Sequence, residues 1–517
     1  MRITNNMMMR NTSYNINGNK VNVDAMNNQM TSQKKIQRPS EDPVVAIRAL
    51  RLRNSLSEIN QYYENNIPDA EAWLNVTHTA LYNMTDILKN VREQCVYGAN
   101  DSLKTEDRNA ILEQLQSLRS QIYSEGNSDY AGRTVFTGYR TNKTLTFATA
   151  ETETSYEISQ KFSYKDIEEH RYYSGEVEVP TTSNGVLNNT ISNPSQATYS
   201  RVRLGYGEID ELTGQSTATP ATTTISYTYD GAPTPAPEMN VTIYDTYDDW
   251  AAASANGTYD IASGEAVCIK ETGELIFDKD LAADLKSKNA SFTVDYKKTG
   301  FDKGEVRPEY YYNCTDVTDA DASNHIEYKK YDDDGNEIYQ DINYIVASNQ
   351  TLTVNTSASK VFDSSIGRDV DELMEAVQNA LDAEEKVSTL TKMKSMEEYS
   401  STGCQEKLDE WIAAAKKEQS YAEDNMQKLY NSYIGNFDDY LEQVNLALTD
   451  VGNKQQSLAL TETRVSSQQT TIKELKSSNE DRDISDIILD YTAAYNAYQA
   501  SLQAGAKINQ NTLLNYI

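Results

Sequence analysis

The residues best suited to chemistry are few and badly spaced for it. Histidine occurs only at His78, His170 and His325 in 517 residues, and none stands in HExxH or at another short spacing that would let imidazoles share a zinc ion. No Walker phosphate loop, no GxGxxG after a strand and no GxSxG elbow occurs, so nothing local points to phosphate binding or to a Ser/His/Asp triad. His78 falls beside an apolar helical seam, where a structural or solvated imidazole is the plain reading. The run YDDDGNEIY, residues 331–339, sets three carboxylates before Gly335. An EF-hand loop needs ligands at alternate positions and a Glu at its twelfth, whereas these Asp residues are adjacent. The run predicts instead a hairpin turn at Asp334 and Gly335, joining strands near Ile326–Lys330 and Ile338–Tyr344. Cys95, Cys268, Cys314 and Cys404 form no CxxC pair and read as isolated or buried thiols rather than a disulfide framework or a zinc site. The expectation is a protein with no catalytic residues, no metal and no cofactor.

The elements that carry these residues suit assembly better than catalysis. A hydrophobic fraction of 38% and a mean hydropathy of -0.68 give a soluble chain thinly provided with core. The net charge of -31 argues against nucleic acid and against an anionic membrane surface, because either needs a concentrated Lys/Arg face. It keeps copies apart until specific contacts form. No apolar run is long enough to span a bilayer, and the start MRITNNMMMR has no apolar region with a cleavage site, which argues against a cleaved secretory signal.

Counting in sevens from Tyr430 reaches Phe437, Val444, Val451, Leu458, Val465 and Ile472, with Ile434, Leu441 and Leu448 four residues on: an a/d seam on one side of a helix. The later d positions turn polar at Gln455, Glu462 and Gln469. After a polar break at 476–483 the seam restarts as Ile484, Ile488, Tyr491, Tyr495, Tyr498 and Leu502. At the other end, Pro39, Ser40, Asp42 and Pro43 mark a loop feeding a capped helix. From Val45 the seam runs Ala49, Leu52, Leu56, Ile59, Tyr63, Asn66, Ala70, Trp73, Thr77, Ala80, Met84, Ile87 and Val91. Pro68 interrupts it and predicts a kink or restart near Asn65 with the apolar phase preserved. Gly98 and Asn100 read as a stop, and a further helix starts at Thr105.

From Tyr130 the period changes to short alternating runs, at Thr144–Phe147, Arg201–Leu204, Thr224–Tyr229 and Val241–Tyr244, between Gly, Pro, Asn and Asp clusters. The fold expected is α+β and multidomain: long heptad-bearing helices from both termini form a bundle or coiled coil around an inserted β-rich middle region. The expected divisions are 1–42, an assembly segment disordered until polymerised; 43–140 and 363–436, the two halves of a helical bundle; 141–362, one or two outer β-rich domains; and 437–517, C-terminal assembly helices.

The start MRIT with QMTSQKKIQRPSEDPVVAIRAL, the stretch NVREQCVYGANDSLKTEDRNAILEQLQSLRSQI, and near the other end VGNKQQSLALTETRVSSQQTTIKELKSSNEDRDISD and AYNAYQASLQAGAKINQNTLLNYI resemble the flagellar hook-filament junction family, of hook-associated protein 3 type, which is related to flagellin. The likeness covers roughly the first 140 and last 150 residues. The Asn-rich stretch at Asn15–Asn19 departs from the more apolar first helix expected of the family.

The resemblance implies a non-enzymatic structural subunit outside the cell, exported through the flagellar channel with a chaperone on its C-terminal helices. It would form a homo-oligomeric ring next to another hook-associated protein and flagellin, and bind neither nucleic acid nor membrane. The helical seams would be the interface: Leu52, Leu56, Ile59, Tyr63, Trp73, Met84 and Ile87 from the first half, Val444, Val451, Leu458, Val465 and Ile472 from the second, and the restarted seam from Ile484 to Leu502. Flagellin is the nearest alternative. A coiled-coil adhesin binding through its β-rich middle is a second, and a filament-borne enzyme a third for which three scattered histidines supply no site.

Overall fold

The computed structural model describes residues 5–100, 103–253, 259–332 and 335–510. The MRIT start, Asp334 and the NTLLNYI ending lie outside them. The chain divides into two compact units: one of residues 1–71, 343–352 and 455–517, the other of 72–342 and 353–454.

Four helices come first, α1 (Asn5–Ser32), α2 (Pro43–Asn60), α3 (Ile67–Gly98) and α4 (Thr105–Ile122). Asp42 caps α2 as its sequence predicts: Oδ1 accepts from the amides of Val44 and Val45 at 2.9 and 3.1 Å, and Pro43 fills the first turn. Gln61–Asn66 form a π-helical turn in which the Ile67 amide donates to the Tyr62 carbonyl, five residues back. The wider turn takes up Pro68, which has no amide to donate. Its extra residue also corrects the expected phase: the buried position is Ile67, and Asn66 is half-buried.

In the middle region β1 (Asp129–Tyr130) and β2 (Arg133–Thr134) pair as a small ribbon. There follow β3 (Glu151–Ser163), β4 (Glu168–Ser174), α5 (Ser183–Asn188), β5 (Ser195–Arg203), β6 (Glu211–Leu212), β7 (Ala221–Thr228), β8 (Glu238–Tyr244), α6 (Tyr247–Ala253), β9 (Ala266–Ile269), β10 (Glu274–Phe277), α7 (Lys279–Ser287), β11 (Ser291–Phe301), β12 (Asn313–Asp316) and β13 (Ile326–Tyr328). Strands β3 to β13 make one 11-stranded sheet in the order β13-β12-β3-β11-β7-β8-β9-β10-β5-β4, with β6 beside β11. Its pairs are antiparallel except β8 with β9. Strand β7 buries Thr223, Ile225 and Tyr227 and exposes the residues between, the alternation its sequence shows, whereas β9 and β10 are buried on both faces.

Two strand expectations fail. Thr144–Phe147 makes only an isolated bridge, Thr146 with Val306. Around Gly335 a tight turn does form, with the Ile338 amide donating to the Lys330 carbonyl at 2.8 Å. Its immediate flanks pair through one antiparallel bridge, Tyr331 with Glu337, but the strands beyond pair elsewhere: β13 lies on β12, and β14 (Asn343–Ala347) pairs with β15 (Gln350–Thr353). Asn349, at φ +57°, lies between those last two strands, so they close locally.

Three helices complete the chain, α8 (Ser365–Lys394), α9 (Thr402–Glu480) and α10 (Ile484–Gln510). The expected division at 436/437 falls inside α9, a single helix of 79 residues. In the second unit, α3 buries Trp73, Leu74, Leu81, Met84, Leu88 and Val91, a stripe too broad for a two-stranded seam. Ion pairs tie the helices there: Arg92 to Asp438 at 2.5 Å, Arg108 to Glu423 at 3.1 Å and Arg119 to Asp371 at 2.8 Å. Helices α3 and α9 meet so closely that a Cβ on Gly98 would lie 2.5 Å from the Tyr430 ring.

A buried charge network joins the sheet to α8 and α9. Arg201 on β5 meets Glu168 at 2.9 Å, Glu274 at 2.7 Å and Glu372 at 2.6 Å. Arg203 reaches Glu372 at 3.1 Å and Asp369 at 2.5 Å. Tyr172 and Tyr247 donate to Glu274 at 2.9 and 2.6 Å, Tyr433 to Glu372 at 2.5 Å and Tyr440 to Asp369 at 2.9 Å. Burial opposes the charge on Glu372, but Arg201, His170 and Arg203 outweigh it and hold its carboxyl well below the usual range. His170 is 3.3 Å from Glu372, yet burial and then Arg201 pull its pKa down to about 4, so it is neutral at pH 7.

Candidate assembly surface

In the first unit α1 and α10 run antiparallel. Thr12, Ile16, Asn19, Val23 and Met26 form the half-buried stripe of α1, at steps of four and three. From α10 it receives Ile487, Tyr491, Ala494, Tyr498, Ser501 and Gly505. The approach is close at one end, where a Cβ on Gly505 would lie 3.0 Å from Ile16 Cδ1 and 3.2 Å from Thr12 Cγ2. Midway, Asn19 donates to the Ala497 carbonyl at 3.4 Å, and at the other end Arg482 donates to Gln29 at 2.8 Å. Within the expected assembly segment 1–42, residues 5–32 form a helix with one face on α10 and the rest exposed.

Where α9 gives way to α10, charges fasten the junction to the N-terminal helices. Arg53 on α2 holds Glu480 through two bonds of 2.8 Å, and Lys34 pairs with Asp481. The hydrogen bond from Arg53 holds the Glu480 carboxyl below its ordinary pKa, the bond from Lys34 does the same for Asp481, and Lys34 is raised in turn. Asn479 donates to the Val45 carbonyl at 3.1 Å and Gln469 to Asn60 at 2.9 Å, so α2 lies along the end of α9. The β14–β15 hairpin belongs to this unit: Asn66 donates to the Ile345 carbonyl at 2.7 Å, and Gln350 to Thr461 at 3.1 Å.

The residues expected at the interface divide into three groups. Trp73, Met84, Ile87, Val444, Val451, Leu458 and Val465 are buried inside the chain, which leaves them no surface for another copy. Leu52, Leu56, Ile59, Tyr63, Ile472, Tyr491 and Tyr498 are half-buried. Ile484, Ile488, Tyr495 and Leu502 are exposed on α10. The α10 seam predicted from the sequence is thus mostly the outward stripe, and the inward one runs from the fully buried Ile487. Both stripes are apolar, so the signal was a helix greasy over more than one face, which a one-seam count does not register.

The count also misses Leu489, 69% exposed, and an outer row on α2 made of Val44, Ile47 and Leu50. Met7, Met8, Met9, Tyr14 and Val21 of α1 add to the exposed apolar surface. The second unit exposes large apolar side chains too, Tyr82, Val96, Leu187 and Leu446 among them.

Among the described residues no group of three or more His, Cys, Asp or Glu is placed to hold a metal, and no helix is long and apolar enough to cross a membrane. The carboxylates of the buried network are matched by guanidinium and phenol groups, an arrangement that holds a sheet on helices.

The family model for the bacterial flagellin N-terminal helical region matches residues 3–141. The N-terminal part of the chain is flagellin-like. This flagellin-like region contains α1–α4, and with them the outer rows of α1 and α2. The chain is 29% identical over 142 residues to flagellar hook-associated protein 3 of Salmonella typhimurium, a stretch covering 27% of this chain and 44% of that protein. It is 27% identical over 122 residues to flagellin of Clostridium tyrobutyricum, 24% of this chain and 32% of the relative. The matched stretch therefore spans less than half the length of either curated relative. A solved structure of flagellar hook-associated protein 3 from Legionella pneumophila aligns over 83% of this chain and 97% of its own at 11% identity, with a TM-score of 0.29.

Proposed function

We propose that the chain is a structural, non-enzymatic subunit of the bacterial flagellum that forms part of the junction between hook and filament and polymerises through its terminal helices. The observation that carries this reading is the apolar outer surface of α1, α2 and α10 in a chain whose residues 3–141 are flagellin-like. In this reading copies assemble into a ring through those rows, beside another hook-associated protein and flagellin, outside the cell. A chaperone covers the α10 stripe before export. The half-buried α1 orders fully only among neighbours, and assembly is linked to that ordering.

Deleting 491–517 tests this. The truncated chain is expected to express in soluble form, keep the β-rich unit folded and fail to enter flagella. Normal motility with the truncated chain would overturn the proposal. The likeness to a flagellin favours a second reading, a filament subunit. Immunogold labelling separates the two: a band confined to the hook tip supports the junction, and label along the filament supports flagellin.

A further inference from the structure

Strands β7, β11, β3 and β12 belong to one sheet, and their registers decide which side chains share its outer face. Thr228 of β7 stands opposite Ser291 of β11, and Ser291 opposite Ser163 of β3. Two residues on, Thr293 pairs with Lys161. Two further, Asp295 pairs with Ser159, which meets Asn313 of β12 on its other side. By alternation Thr224 and Ser226 of β7 point the same way as Thr228. All of these side chains are polar and exposed or half-buried, whereas Phe162, Ile225, Phe292 and Val294 between them are buried in the core beneath.

This face is the floor of a trough. On the β12 side the turn at Gly335 stands over it, close enough that a Cβ there would lie 3.2 Å from Lys161 Nζ, and Tyr331, 38% exposed, forms the rim. Asn313 fixes that rim by accepting from the amides of Lys330 and Tyr331 at 2.7 and 2.8 Å. On the β7 side Thr213 bounds the trough, its amide donating to the Asp295 carbonyl at 2.8 Å. The cavity measures about 990 Å³, and a second of about 370 Å³ continues it past Ser159 and Asn313 to Glu157 and Thr315. Along β3 the stretch 157–163 spans roughly 20 Å at about 3.3 Å per residue. A hollow of this length suits a chain-shaped ligand.

The chemistry of the floor narrows the class. Thr224, Ser226, Thr293 and Asp295 make no side-chain hydrogen bond among the described residues. Hydroxyls donate and accept, and a carboxylate accepts through two oxygens, which matches the neighbouring hydroxyls of a sugar; the Tyr331 ring adds an apolar platform at the rim. Among the described lining residues Asp166, Asp295 and Asp332 stand against one lysine, Lys161, so a phosphate- or sulfate-bearing chain meets repulsion.

We infer that this trough binds a neutral oligosaccharide, which lies along β3 and β11 with its hydroxyls on Ser226, Thr293 and Asp295 and one ring against Tyr331. The site lies wholly in the second unit and does not depend on the reading of the chain as a junction subunit.

The probes are maltohexaose, cellohexaose and chitohexaose in its uncharged N-acetylated form, each titrated into the full chain by calorimetry. Binding of at least one at a single site is expected. Asp295→Ala removes the paired acceptor and Tyr331→Ala the platform; each is expected to weaken binding about tenfold or more, with thermal unfolding checked against the parent. The proposal is overturned by no binding of any of the three up to about 5 mM, or by an unaltered affinity in either folded variant. It is also overturned if a heparin hexasaccharide binds as tightly as the neutral probes, because recognition would then rest on charge and not on hydroxyls.

Discussion

The two units handle their apolar residues in opposite ways. In the second, three large tryptophans, Trp73, Trp250 and Trp411, are almost wholly buried, and the sheet is bonded to its helices by Arg201, Arg203 and their carboxylate and phenol partners. In the first, the buried apolar positions among the described residues are fewer, Ala46, Ala49, Ile67, Ala70, Val346, Ala347, Leu458, Val465 and Ile487, while Val44, Ile47, Leu50, Ile488 and Leu489 face outward. Both units are built from helices with regular apolar steps. The period alone does not separate a helix that finishes a core from one that leaves a face uncovered; the number of apolar faces per helix does.

Substitutions should therefore register in different experiments according to the unit they touch. The largest expected effect is Arg201→Leu, which leaves Glu274 buried without its guanidinium and Glu372 with Arg203 alone, and should destabilise by about 3–5 kcal/mol in chemical denaturation. Trp411→Ala empties a core position whose indole N–H bonds the Val186 carbonyl at 3.2 Å, and should cost a similar 3–5 kcal/mol or so.

Acid should also act first on the second unit. His170 titrates at an ordinary 6.5 when unfolded and near 4 when folded, so the unfolded chain takes up the proton first and stability falls as the pH drops from about 6.5 to about 4. His170→Gln is expected to flatten that window in a pH series of melting temperatures. Glu372, held low, adds a further loss at lower pH, below its ordinary range.

In the first unit Arg53→Ala should cost at most about 1 kcal/mol, because its guanidinium is half-exposed, but should speed amide exchange around α2 and Lys34. Smallest of all, Leu489→Ser should change monomer stability by no more than about 0.5 kcal/mol. Incorporation into flagella should nonetheless suffer, as electron microscopy of labelled filaments would reveal. Strong exchange protection throughout 5–30 in the monomer would erase the contrast between the units.

Much of this was legible in the chain. Asp42 and Pro43 announced the start of α2, Gly98 its successor's end, and the alternation in Thr224–Tyr229 and Val241–Tyr244 marked two strands, because each of these depends on neighbours in sequence. What could not be read depends on partners far away. Arg201 and Glu372 are 171 positions apart, and nothing in either segment marks them as a buried pair. Local chemistry placed the turn near Gly335, but the choice of strand partners for its flanks came from β12 and β15. On the candidate surface, the exposed Ile484 stripe was visible and its orientation was not, since an apolar stripe on either side of α10 has the same heptad spacing.

The four cysteines have a practical consequence. Cys95, Cys268, Cys314 and Cys404 are all buried, all in the second unit, and burial pushes the thiols of Cys95 and Cys268 up to about 12. A maleimide added to the native protein thus has no thiolate within reach, and alkylation becomes a clock for global opening of the β-rich unit that is blind to fraying at the ends.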